Sequence, residues 1–124
     1  MTLLATLLAQ ILVVIVAALH LGFLVLEMFL WNTPRGRAAF GTTREFAAES
    51  AALAANQGLY NGFLSAGLVW SMVADRPGGL QAKVFFLICV VIAGLYGAKT
   101  VSSRILFIQA GAAVLALAAV LLSR

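Results

Sequence analysis

An all-α bundle of four antiparallel membrane-spanning helices is the fold this sequence predicts, on three observations. Of its 124 residues 64% are hydrophobic and only 10% are charged, with a mean hydropathy of +1.09, so polar side chains are too few to cover a water-facing surface. Four segments reach the ~20 mostly apolar residues needed to cross ~30 Å of hydrocarbon. Polar stretches separate them, two of which carry proline and glycine. The chain, residues 1–124, reads as a single integral membrane domain.

The first span covers roughly residues 3–31. No basic stretch precedes it, and the apolar run continues well past the ~7–15 residues of a signal-peptide core, so it is expected to be retained. "NTPRGRAAFGTTRE" then forms the longest loop, because Pro34, Gly36 and Gly41 oppose continued helix. Thr42 with Glu45 three residues on fits a capping box, which starts the second helix near Thr43. Its apolar part covers roughly residues 51–74. From Thr43 to Ala74 the helix would run ~48 Å, longer than the bilayer core, so its first turns lie at the interface or the helix tilts. "DRPGGLQ" closes it. The third and fourth spans cover roughly residues 80–98 and 105–122. "KTVSS" joins them without a glycine, and the break rests on Lys99, Arg104 and a cap at Ser102 or Ser103. Cys89 is the sole cysteine and lies mid-span, which excludes an internal disulfide and a Cys-rich metal site.

Charge gives the orientation. The first and third loops hold Arg35, Arg37, Arg44, Lys99 and Arg104, against Arg76, Lys83 and Arg124 on the other side, a count of five to three. The positive-inside rule then puts loops one and three in the cytoplasm, and so narrow a margin also suits a dual-topology protein that assembles as an antiparallel pair. The net charge of +4 is scattered along loops and span ends, which fits contact with lipid headgroups and not nucleic-acid binding.

Two ionisable residues interrupt the first span in "HLGFLVLEMFLW": His20 and Glu27. Seven residues is ~700° of helix rotation, so both point the same way with ~10.5 Å of rise between them. That gap is too long for one metal ion, which takes ligands three or four residues apart on a helix, and no metal or other cofactor is expected. A packing role is open to both: an interhelical hydrogen bond for His20, and snorkelling or pairing with a basic group for Glu27 near Trp31. Against it, a charged group at the centre of a span costs about 2.5–3.5 kcal/mol on insertion scales, which favours a functional site facing the bundle interior. His20 and Glu27 are the candidate proton-transfer groups.

The second span supplies the matching polarity in "AANQGLYNGFLSAGL". Asn56 and Tyr60, and Gln57 and Asn61, stand four apart and form adjacent polar ridges on one half of the helix. Beside them Ser50, Ala54, Gly58, Gly62 and Ala66 recur at every fourth position, a small-residue ridge that suits close helix packing or contact with a second copy of the chain. Each amide alone reads as helix-to-helix glue worth about 0.6–2 kcal/mol. Together with Glu27, Tyr96, Lys99, Arg104 and Gln109 they fall at one end of an antiparallel bundle, where a one-sided polar cavity is expected. Its binding residues are expected to be Trp31, Asn56, Gln57, Tyr60, Asn61 and Tyr96, with His20 and Glu27 facing the Asn56 to Asn61 stretch and the carboxylate near Lys99 and Arg104. The opposite half is Leu, Val, Ile and Ala with Gln10 as the main exception.

The two motifs "HLGFLVLEMFLW" and "NQGLYNGFLSAGL" resemble those of the domain of unknown function 1304 family, small four-span bacterial membrane proteins, and in hydropathy the likeness covers nearly the whole chain. The resemblance implies a four-span bundle in a bacterial inner membrane and brings no activity with it. Three functions follow from the residues. One is an intramembrane pocket that binds a lipophilic small molecule with a polar head, with acid–base chemistry available at His20 or Glu27. Another is an accessory or structural subunit whose polar residues fix helix packing. The third is a proton-coupled exporter working as a dimer. Membrane lipids are partners in all three.

Overall fold

The computed structural model describes residues 2–101 and 104–124, with Val101 described by its backbone only. Among these the chain is all-α: α1 (Leu3–Met28), α2 (Pro34–Phe40), α3 (Arg44–Val73), α4 (Gly78–Val101) and α5 (Arg104–Ser123). The four long helices pack in a ring, α1 against α3 and α5, and α4 against the same two. Neighbours run antiparallel: Glu27 near the end of α1 meets Asn61 on α3, whereas Ala17 earlier on α1 meets Ser65 further along α3, and Gly94 late in α4 packs on Ala110 early in α5. Three stretches are long and apolar enough to cross a membrane: Leu3–Met28, Gly78–Thr100 and Arg104–Ser123. At 30 residues α3 has the length expected of a span. It lacks the expected apolarity, because Asn56, Gln57, Tyr60, Asn61, Ser65 and Ser71 all lie on it.

Sequence patterning dictates which faces meet. The buried residues of α1 include Ala9, Val13, Val16, His20, Phe23 and Glu27, and those of α5 include Gln109, Ala113, Ala116 and Val120. Both sets alternate steps of three and four, the 3.5-residue repeat that keeps one seam of a helix against its neighbours. The middle of the cluster is therefore aliphatic and tight, with Val13, Leu68, Leu87, Val90, Ala113 and Ala116 fully buried. The outward faces stay apolar, with residues such as Ile11, Leu53, Ile92 and Leu115 exposed.

The middle of the small-residue ridge of α3, Ala54, Gly58 and Gly62, is taken up inside the chain, while Ala66 is exposed. A Cβ at Gly58 would lie 2.8 Å from Met28 Cγ and 3.0 Å from Glu27 Cβ, and one at Gly62 would lie 2.6 Å from Leu24 Cδ1. Glycine at these positions is what lets α3 approach α1 so closely. Gly58 and Gly62 thus pack on α1 and are not open to a second copy.

The first loop differs from its expected form. Pro34, Gly36 and Gly41 do not prevent a helix there; they bound and fit one. Pro34 occupies the first helical position, where its missing N–H goes unused. Thr33 caps α2 by accepting from the Gly36 N–H at 3.2 Å, and Gly41 ends it with a left-handed φ of 68°. Gly36 packs so closely on the Leu30 carbonyl that a Cβ there would overlap it. The cap of α3 falls one residue later than expected: Thr43 Oγ1 accepts from the Phe46 N–H at 3.1 Å, while Thr42 Oγ1 is buried with no partner. The other expected cap, at Ser102 or Ser103, lies outside the described residues.

Candidate functional site

His20 and Glu27 occupy equivalent positions of the α1 seam and are 0% and 2% exposed. Their surroundings differ. His20 Nδ1 lies 2.8 Å from the Val16 carbonyl oxygen. A carbonyl can only accept, so Nδ1 carries the proton and donates it. Nε2 is then the acceptor and takes an N–H from Gln109 Nε2 at 2.8 Å. One neutral tautomer thus satisfies both ring nitrogens. The ring also meets Phe23 edge to face, with centroids 5.7 Å apart.

Glu27 is held by α3. Asn61 Nδ2 donates to Glu27 Oε1. An amide N–H donated to the acid fits the carboxylate as acceptor, and Gln57 lies four residues back on the same side of α3. The absence of a side chain at Gly58, on the turn between them, lets the backbone of α3 come within reach.

Two cavities adjoin this carboxyl group. The larger, about 440 Å³, is lined by Phe23, Tyr60, Asn61, Tyr96 and Gln109 in addition to Glu27 and Gln57. The smaller, about 290 Å³, adds Trp31, Phe46 and Ser50. Phe40 and Leu106 border both. Trp31 is fixed by its indole N–H, which donates to Ser50 Oγ at 3.1 Å, and by Phe40, whose ring centroid is 5.1 Å away. In this way α2 serves as a cap over the end of the helix cluster. The larger volume falls in the range of small-molecule sites, ~300–1,000 Å³.

The residues expected at a site fall in three groups. Glu27, Gln57, Tyr60, Asn61 and Tyr96 border the larger cavity and Trp31 the smaller. Asn56 is exposed and borders neither. His20 does not face the Asn56 to Asn61 stretch; its ring is bonded to Gln109 on α5. The reason is depth: α3 meets α1 through Gly62 at Leu24 and through Ser65 at Ala17, so the level of His20 lies between these contacts, beyond the Asn56 to Asn61 stretch. Nor do Lys99 and Arg104 approach the carboxylate, since both are exposed and border neither cavity. Gln109 bonds to His20 and borders the larger cavity, so it connects His20 to that cavity. Phe40 carried no signal in a stretch read as loop.

A further polar cavity, about 200 Å³, lies at the opposite end, where apolar residues with Gln10 were expected. There Lys83 Nζ donates to Gln10 Oε1 at 2.7 Å, with Thr6, Ser71 and Arg76 also on the wall.

Residues 14–121 match the model of a family described as protein of unknown function (DUF1304). The chain belongs to that family. It is 31% identical to the uncharacterized protein YpaA of Lactococcus lactis subsp. lactis (strain IL1403) over 114 residues, 90% of this chain and 95% of that protein. No solved structure matches. The part of the chain matched by the DUF1304 model takes in His20, Glu27, Asn61 and Gln109.

Proposed function

We propose that this protein is a small four-span membrane protein of the bacterial inner membrane whose Glu27 cavity binds a lipophilic small molecule by its polar head. One observation carries the reading: a carboxyl group that is 2% exposed and held by an amide of a neighbouring helix borders a cavity of about 440 Å³. Packing alone asks for no free volume at a buried acid, and an ionisable group inside a span is costly unless it has partners and a use. Glu27 is also the group positioned for proton transfer to a bound molecule, whereas His20 acts on it only through Gln109. Counting α3 as the fourth span is supported by its 30 residues, ~45 Å of helix, and by its packing against α1 and α4, both apolar enough to span. The five-to-three basic count favours a cytoplasmic location for the Glu27 end.

Native mass spectrometry of the detergent-extracted protein tests the pocket. A retained small molecule is expected on the wild type and is expected to be lost from Asn61→Ala; a wild type that carries only lipid held equally by both would count against the pocket. Cysteines introduced at Arg35 and Gly78, in a Cys89→Ser background, flank α3, so they label from opposite sides if α3 crosses the membrane and from the same side if it does not. Labelling from opposite sides is the expected result.

A further inference from the structure

We propose that the polar head taken by the Glu27 cavity is a cation, namely a protonated lipophilic amine or a quaternary ammonium or phosphonium group. This rests on the pocket reading and narrows it to one chemical class. The first ground is charge. Glu27 is the one carboxyl group bordering the two adjoining cavities, and among the described residues no Lys, Arg or His borders either. The basic residues near this end are directed elsewhere: Arg37 donates from Nη1 to the Asn32 backbone oxygen at 2.9 Å and to Asn32 Oδ1 at 2.8 Å, and Arg35, Arg44, Lys99 and Arg104 are exposed. A carboxylate withdrawn from water with only amide partners lacks a countercharge, and a cationic ligand would provide it.

The second ground is the wall. Phe23, Phe40, Tyr60 and Tyr96 border the larger cavity, and Trp31 and Phe46 join Phe40 around the smaller. Aromatic faces attract cations through their quadrupole, and several rings around one anion form the usual setting for a quaternary ammonium group. A neutral head would gain from the rings only by contact and nothing from the charge. An anionic head would face the carboxylate across a space that holds no positive group. The opposite cavity shows that this is local and not a property of the whole chain, because Lys83 and Arg76 border it and no carboxylate does among the described residues.

The test uses the full chain in nanodiscs of zwitterionic lipid, with empty nanodiscs subtracted to remove partition into the bilayer. Three probes of similar shape are titrated: tetraphenylphosphonium, tetraphenylborate and neutral triphenylphosphine oxide. Saturable binding of tetraphenylphosphonium at least ten-fold tighter than the neutral probe is expected, with no specific binding of tetraphenylborate. Glu27→Gln is expected to remove the ten-fold preference and leave the neutral probe unchanged. If Glu27→Gln does not fold, the double variant Tyr60→Leu, Tyr96→Leu decides, since both side chains are largely exposed and leave the core intact; several-fold weaker cation binding with unchanged neutral binding is expected. Equal binding of cation and neutral probe, or an aromatic double variant that leaves cation affinity unchanged, overturns the cation class while the pocket stands. Failure of all three probes to bind overturns the pocket reading with it.

Discussion

Glu27 and Lys83 are ionisable groups at opposite ends of the same helix cluster, and the protein treats them differently. Glu27 is almost wholly buried, is bonded by Asn61 from a second helix, and borders a cavity walled by aromatic rings. Lys83 is half-buried and has one glutamine, Gln10, for a partner. A lysine can bury its stem and keep its ammonium group near the interface, so Lys83 needs little from its neighbours. A short glutamate cannot, and the fold commits an amide and a glycine contact to it. His20 sharpens the contrast from within α1. It shares the seam with Glu27, yet both its ring nitrogens are bonded and the aliphatic core lies around its level. Burial of an ionisable group therefore does not by itself mark a site; Glu27 differs from His20 in bordering free volume.

Substitutions that break this comparison differ in size. The largest loss is expected from Gly58→Val, whose side chain would strike Met28 and Glu27 and push α3 off α1. A cost of about 3 kcal/mol is expected from overpacking, with stability and ligand retention lost together in a melting and native-mass series. His20→Leu comes next. It leaves the buried Gln109 amide without its partner, at a cost of about 1–3 kcal/mol, and chemical denaturation in detergent would register it. Retention of a bound molecule should survive wherever the variant remains folded, because the His20 ring borders neither cavity at the Glu27 end.

Smaller effects separate the two ends. Lys83→Met keeps an apolar stem of similar length and frees Gln10 to meet water at the interface, so a change within about 1 kcal/mol is expected, with retention at the Glu27 end untouched. Asn56→Ala is expected to change least. Asn56 is exposed and borders no cavity at this end, so both melting temperature and retained mass should match the wild type. An Asn56→Ala variant that loses its ligand would move the site outward onto the open face of α3.

Much of this was legible in the chain. The apolar lengths gave the four long helices to within a few residues at most ends, and the 3.5-residue repeat put His20 and Glu27 on one seam. The start of α3 was less legible, because its first two turns carry Arg44, Glu45 and Glu49, and only the threonine cap marked them as helix. Periodicity gives the face of a helix but not its depth against a neighbour. That is why Glu27 could be aimed at the polar stretch of α3 while His20 was wrongly aimed there as well. Two turns of depth set Gly62 to Ser65, not an amide, at the level of His20, and its partner came from α5. The α2 helix was hidden for a different reason. Pro34 and Gly41 break a helix in its interior but suit its first position and its end, and seven residues are too few for the apolar pattern to tell these apart.

The central claim is that Glu27 serves a bound molecule and not the packing of α1 on α3. Glu27→Gln tests it most directly, since the amide fills the same space and can still bond to Asn61. The melting temperature and the retained small-molecule mass are to be measured on one preparation of wild type and variant. A melting temperature within a few degrees of wild type together with loss of the retained molecule is the expected result. A retained molecule that persists while stability falls would contradict the account and return Glu27 to the packing of the helices.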